Sequence, residues 1–297
     1  MPSAAETGPE TRTIVICHID SLCCLPALNA VFAEFGNDIA LVLSSRRFGS
    51  RHGTFWEQAT AGFRRYGIPL NLWLGFDLIS VRIVAGFARG LSLVTRRGPA
   101  LATLPELARR HGARLIETPD VNSAETLAAV QACDPDFIVV MNFDQILQPP
   151  LIALPKVAAV NVHPSLLPRL RGPCPVLWAQ ARQERVSGAT VHAIEDRTID
   201  AGRILAQVEV PIDGARSVGE LTTQFFLAGA RALPAALVRL AADRKAGQPQ
   251  QLSDGQYLGY PTALQMKDFR RAGLRLCRLR HAARLISAAL GVTRWKP

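Results

Sequence analysis

Short apolar runs that alternate with amphipathic stretches over the first half of the chain constrain its fold more than any other feature. Thr13–Cys17 (TIVIC), Asp38–Ser44 (DIALVLS), 113–117 (ARLIE), 136–141 (DFIVVM) and 157–161 (VAAVN) read as strands, and Cys23–Phe35, 104–111 and 123–132 read as helices between them. Parallel neighbours in a sheet need a crossover of about a dozen residues or more, and a helix supplies it. The alternation therefore predicts an α/β fold, a doubly wound and mostly parallel sheet covered by helices on both faces. The turn after the first strand is His18-Ile19-Asp20-Ser21, without glycine, so it is neither a dinucleotide fingerprint nor a phosphate-cradling loop.

Two segments stand outside this alternation. Thr54–Thr95 is long for a connection and carries Trp56, Phe63, Trp73, Phe76 and Phe87, so it is expected to hold one or two helices of its own. Such a helical insertion can cover the core or a subunit interface, or offer a surface to an apolar substrate or lipid. Its uncharged run, Tyr66–Phe76, ends at Asp77 and is too short to span a bilayer. After the strand-like 203–210 (RILAQVEV) comes a helical pattern, Ser217–Ala242, with Leu221, Phe225, Leu233, Leu237 and Leu240 on one face and Pro234 as a possible kink. The last pattern, Leu264–Leu290, is interrupted by Gly273 and interleaves leucines with arginines. The division expected is a domain over 1–210, with the insertion at 54–95, and a helical C-terminal extension with a basic tail over 211–297.

The formal charge of +10 is concentrated in that tail: Lys267–Lys296 holds nine Lys and Arg against Asp268, a net +8, which leaves +2 for residues 1–266. A solvated helix packed through its leucines explains the tail, and contact with an anionic membrane surface or polyanion is the alternative. The six cysteines have no metal-ligand spacing, and most lie in apolar runs, which points to a reducing cytoplasm and no metal site. Met1–Arg12 has no basic segment followed by an apolar one, so no secretory signal is expected.

The chemistry is concentrated in Asn161-Val162-His163-Pro164-Ser165-Leu166-Leu167-Pro168 and the following Arg171-Gly172-Pro173. Asn161 and His163 end a short strand, where α/β sheets place their ligands, and alternation sets both on one face. Gly188–His192 reads as a further strand, and Asp196–Gly202 as a polar loop that returns to Arg203. Together these residues resemble the folate-dependent formyltransferase family, whose hallmark is Asn-x-His-x-Ser-Leu-Leu-Pro followed by Asp-x-Gly, here Asp200-Ala201-Gly202. The resemblance extends from about Phe137 to Val210.

That resemblance implies transfer of a formyl group from N10-formyltetrahydrofolate, the donor cosubstrate, to a primary amine. It makes Asn161 a donor to the developing oxyanion, His163 the proton-transfer group and Asp200 the carboxylate that orients it. It also implies a folate pocket lined by the backbone of Gln145-Ile146-Leu147 and of the Glu195–Ile199 loop, including Asp196 and Thr198. His192 is either a neighbour of this site or a core histidine. Arg169 and Arg171 either touch the acceptor or cap the helix around Val176–Arg182. Arg46, Arg47, Tyr257 and Tyr260 are further candidate acceptor contacts.

Among family members, glycinamide-ribonucleotide enzymes use a glycine-rich first turn, which His18–Ser21 lacks, and deformylases carry a domain before the first strand, for which Thr13 leaves no room. Methionyl-tRNA formyltransferase shares Ser-Leu-Leu-Pro-Arg but has a C-terminal β-barrel, and the pattern after Gly247 is helical. The expected acceptor is a small-molecule amine, an amino-sugar nucleotide first, with tRNA the alternative and nucleic acid otherwise not favoured. A catalytically silent adaptor is the reading of another class, opposed by intact Asn161, His163 and Asp200. A second copy of the chain, and weak contact of the basic tail with a membrane from the cytoplasm, complete the expected partners.

Overall fold

The computed structural model describes residues 12–46, 55–95, 99–214 and 216–295. Arg47 and the start of the insertion at Thr54 lie outside the described residues. In chain order the elements are β1 (Ile14–His18), α1 (Leu25–Phe35), β2 (Ile39–Ser45), α2 (Phe55–Tyr66), α3 (Ile68–Thr95), α4 (Leu104–His111), β3 (Arg114–Thr118) and α5 (Ala124–Gln131). They continue with β4 (Phe137–Met141), α6 (Pro149–Ile152), β5 (Ala158–His163), β6 (Leu170–Arg171), α7 (Pro175–Ala181), β7 (Val186–Ile194) and β8 (Ile204–Pro211). The last are α8 (Val218–Ala242), β9 (Gln256–Tyr257), α9 (Ala263–Arg271) and α10 (Leu279–Ala289).

Seven strands form one sheet in the order β3-β2-β1-β4-β5-β7-β8. The first five in that order run parallel, and β7 and β8 close the edge antiparallel. This is the doubly wound, mostly parallel α/β architecture that the alternation implies. β1 and β4 are buried along their whole length, as expected of parallel strands covered on both faces. On one face Ile14, Ile16, Val139 and Val160 pack against Leu28 and Phe32 of α1 and against Leu233, Leu237 and Leu240 of α8. On the other, Val15, Leu41, Ile138 and Val140 pack against Val130 of α5 and Leu151 of α6.

α8 is one continuous helix through Pro234, started by a capping box in which Ser217 and Glu220 bond each other's backbone N–H groups. It lies across β5, β7 and β8 and shares the sheet's core. α9 and α10 form the C-terminal part and pack against α2 and α3.

The insertion corrects one sequence expectation. Ile68–Thr95 is a single helix of 28 residues, and its Ile68–Gly90 section is long and apolar enough to cross a membrane by length and composition, with a mean hydropathy of 1.5. Counting uncharged residues stops that section at Phe76 because it ignores direction. Asp77 points into the protein, where its Oδ1 accepts the Cys23 N–H at 2.9 Å, while Arg82 and Arg89 are exposed. Val218–Ala242 passes the same test, but its apolar face is the one packed on the sheet.

Candidate active site

The register of β5 against β7 sets the site's geometry. Their antiparallel pairing places Asn161 opposite His192 and His163 opposite Thr190. Alternation then puts both β5 side chains on the face towards the loop that follows β7.

Asn161, His163 and Asp200 come together. The Asn161 Nδ2 group donates to His192 Nε2 at 3.1 Å and to Asp200 Oδ1 at 3.3 Å. His163 Nδ1 lies 3.4 Å from Asp200 Oδ1, and its Nε2 lies 2.8 Å from the Leu170 carbonyl. That carbonyl can only accept, so Nε2 carries the ring hydrogen of neutral His163 and the Nδ1 lone pair faces Asp200. His192 Nδ1 donates to the Ala193 carbonyl at 2.8 Å by the same reasoning, which leaves Nε2 to accept from Asn161 and fixes the amide's orientation. Of the two readings of His192, the geometry favours the neighbour of the site. Its signal in the sequence is position: it lies two residues beyond Thr190 on a strand that pairs with the Asn-x-His strand.

The motif's Ser-Leu-Leu-Pro segment serves as a brace. Ser165 Oγ donates to the Leu170 carbonyl that His163 also uses. Thr190 Oγ1 donates to the Ser165 carbonyl and accepts the Leu167 N–H. From β8, Gln207 Nε2 donates to the Leu167 carbonyl.

Asp200 is placed by its loop. Glu195 grips Arg203 through both carboxylate oxygens, Asp196 Oδ1 accepts the Thr198 N–H, and Gln250 Nε2 donates to the Asp200 and Gly202 carbonyls. Asp200 itself adopts φ +54, a left-handed conformation that Asp tolerates better than most residues. Its Oδ2 accepts the Gly172 N–H at 2.9 Å. Gly172 has φ +108, and a Cβ there would stand 2.3 Å from the Leu258 carbonyl oxygen, so only glycine brings that N–H to the carboxylate. Gly172, part of the motif segment, thus touches the site through its backbone, and Gln250 is a residue of the site that has no signal in the sequence.

Burial works to raise the Asp200 carboxyl, but its attraction to a proton on His163 and its bond from the Gly172 N–H hold it well below the usual carboxylate range. Burial pushes the His163 imidazole down, opposed by the Asp200 charge and the Leu170 carbonyl. The pair is a buried carboxylate beside a neutral imidazole whose open nitrogen faces it.

The remaining predicted residues are spread around this cluster. Gln145 uses its side chain to tie Ser45 and Val121 together, Ile146 is half exposed, and Leu147 is buried in the core. Glu195, Asp196 and Thr198 are exposed on the loop and Ile199 is half-buried. Arg171 is half-buried on β6, and Arg169 lines a groove of ≈ 620 Å³ with Arg182, Arg185 and Glu184. Tyr257 sits on β9, which pairs with β6 beside Gly172, and Tyr260 stacks on Tyr66 at 4.7 Å between ring centres. Arg46 is exposed after β2. At the end of β1, buried His18 bonds the Met141 carbonyl through Nδ1 at 2.6 Å, and burial raises nearby Asp20 to about 7. Among the described residues no cluster of His, Cys, Asp and Glu could hold a metal ion.

The family model described as formyl transferase matches residues 87–237, a little over half of the 297 residues. The methionyl-tRNA formyltransferase of Geobacillus sp. (strain WCH70) is 37% identical over 137 residues, which are 46% of this chain and 43% of that protein. The chain therefore spans less than half the length of this relative. Among solved structures, a glycinamide ribonucleotide transformylase from Symbiobacterium toebii superposes with a TM-score of 0.54 at 18% identity, covering 84% of this chain and 97% of that one. An N-formyltransferase from Helicobacter canadensis, in complex with folinic acid and dTDP-3-aminofucose, has a TM-score of 0.50 at 14% identity over 84% of this chain and 71% of that one.

Proposed function

The chain belongs to the formyl transferase family, and on that premise we propose that it moves a formyl group from N10-formyltetrahydrofolate to the primary amine of a small molecule, in the first instance an amino-sugar nucleotide. The observation that carries the reaction type is the cluster at the carboxyl end of β5: an amide donor, an imidazole base and a carboxylate, all within 3.4 Å of one another along the chain Asn161, Asp200, His163.

Each member has a step to perform. His163 Nδ1 takes the proton that the attacking amine must lose, and the imidazolium so formed is stabilised by Asp200 on one nitrogen and the Leu170 carbonyl on the other. Asp200 stays ionised throughout, because its second oxygen is held by the Gly172 N–H. Asn161 turns one amide hydrogen from Asp200, the longer of its two bonds, to the formyl oxygen as charge develops there. His163 can then return its proton to the departing nitrogen. The donor's ring system suits the backbone of 145–147 and of the 195–199 loop, where half-exposed Ile146 supplies apolar surface.

This assignment fixes the sign of a pH dependence. His163 works as the neutral base, and burial lowers its value below the ordinary histidine range. Activity is therefore kept above that lowered value and lost as the pH falls through it, with Asp200 ionised over the whole range. Measured as kcat at saturating acceptor, the profile is expected to be flat around neutrality with its acid limb below the ordinary histidine range. A profile that rises only above pH ~8 would assign the controlling ionisation to the amine instead.

The acceptor class rests on less. The solved sugar N-formyltransferase shares the fold, and the Arg169, Arg182 and Arg185 groove suits a phosphorylated acceptor. Methionyl-tRNA is the second reading, favoured by the names of the curated relatives. Their matches cover less than half of each relative, so they speak for the shared chemistry more than for the acceptor. The test is tetrahydrofolate release from the donor with amino-sugar nucleotides, lipid-linked amines or charged methionyl-tRNA as acceptors. Release with a small amine is the expected result; release with the tRNA alone would transfer the assignment, and no release with any acceptor would remove it.

A further inference from the structure

α3 is apolar on two opposite faces, and among the described residues only one is packed against the rest of the protein. Leu70, Val81, Val84 and Ala88 are buried, the first three against α1, α8 and α10. Ile68, Leu72, Phe76, Ile79, Ile83 and Phe87 follow one another at helical spacing along the other face and are exposed, Phe87 to 71% and Ile68 to 62%. Gly75, Gly86 and Gly90 lie along the same face, and a Cβ built on any of them meets nothing within 4 Å.

The charges around this stripe select its occupant. Residues 60–95 carry Arg64, Arg65, Arg82 and Arg89, and their one acid, Asp77, is the group turned inward. All four arginines are exposed. α10, which packs against α3, belongs to the segment 267–296 with nine Lys and Arg against the one acid Asp268. A second copy of the chain brought onto the stripe would set these cations against their own kind, since the one carboxylate of residues 60–95 is turned inward. An anionic lipid leaflet answers both features at once, since acyl chains receive the apolar stripe and headgroups receive the arginines at its rim. The inward anchoring of Asp77 and the packed opposite face keep α3 attached to the domain, so it lies in the plane of the interface and does not cross it.

We propose that the exposed face of α3, rimmed by Arg64, Arg65, Arg82 and Arg89, docks the protein on an anionic membrane surface. The docked face continues to the site's rim: α3 follows Tyr66, which stacks on Tyr260, and the same loop carries Tyr257 beside Gly172. The proposal does not depend on the identity of the acceptor.

Flotation of the whole protein with vesicles tests it, using phosphatidylcholine alone and phosphatidylcholine mixed with phosphatidylglycerol. The protein is expected to float with the mixed vesicles, to float much less with phosphatidylcholine alone, and to be released by salt. The triple variant Leu72→Glu, Ile79→Glu, Phe87→Glu changes only exposed positions and is expected to lose at least about tenfold in binding, with its circular dichroism and melting unchanged. Arg82→Glu with Arg89→Glu leaves the apolar stripe intact and is expected to weaken binding as well, so this pair decides the matter if the triple variant misfolds. No flotation of the wild type, equal flotation with both vesicle types, or equal flotation of a folded triple variant overturns the proposal. A dimer in sedimentation equilibrium that the triple variant converts to monomer, without vesicle binding, overturns it in favour of a second copy.

Discussion

On the proposed reaction, His163→Ala is expected to lower the rate of formyl transfer by about 10³-fold, Asp200→Asn by a similar factor, and the double variant by little more than either alone. Each factor corresponds to about 4 kcal/mol of transition-state stabilisation. The expectation follows from how the two side chains are shared. His163 Nδ1 has one neighbour able to stabilise a proton there, Asp200 Oδ1 at 3.4 Å. Without the imidazole the carboxylate has no base to assist, and without the carboxylate the imidazolium is formed in a buried site against its desolvation cost. Independent contributions would multiply to about 10⁶, so steady-state kinetics of the three variants separates a unit from two separate helpers. Asp200→Asn also inverts part of the network. An amide in place of the carboxylate turns its NH2 towards either the Gly172 N–H or Asn161 Nδ2, both of which are donors. A moderate loss of binding of the donor should therefore accompany the loss in kcat, whereas His163→Ala should act on kcat.

How much of this was legible in the sequence depends on how local each signal is. The five parallel strands and their helices announce themselves, because a strand buried on both faces must be apolar throughout and its crossover must be amphipathic. Asn161 and His163 are legible for the same reason, since one strand carries both. β9 has no signature in the sequence: two residues have no periodicity, and Gln256 and Tyr257 become a strand only because β6 lies beside them. The consequence for the site is direct, as that pairing sets Tyr257 against Gly172. Gln250 carries no local signal, because it reaches Asp200 from 50 residues away through its side chain alone. The length of α3 is hidden for a different reason. A charge count along the chain is blind to direction, and Asp77 satisfies itself on Cys23 inside the protein while the helix runs on.

The same reasoning about close approach yields the second large effect, Gly202→Ala. Asp-x-Gly looks like a loop motif in which glycine supplies conformational freedom, but the constraint at Gly202 is space. A Cβ there would stand 2.0 Å from the Ala193 carbonyl oxygen, a backbone atom that cannot move aside as a side-chain end would. That oxygen accepts the Nδ1 hydrogen of His192 and so fixes which nitrogen His192 offers to Asn161. The Ala193 N–H is also bonded to the Arg203 carbonyl across the hairpin. Relief of the clash has to part β7 from the loop at the point that orients His192 and, two residues upstream of Gly202, Asp200. The expected cost is about 1–3 kcal/mol of stability, read from a denaturant midpoint, together with a loss of about 10²-fold in kcat from misplaced groups. Gly259→Ala is the matched control in the neighbouring loop, where a Cβ meets nothing within 4 Å, and it should leave both readouts nearly unchanged. A Gly202→Ala protein with wild-type kcat would mean that the carbonyl of Ala193 does not govern the His192 tautomer, and His192 would then return to the status of a core residue.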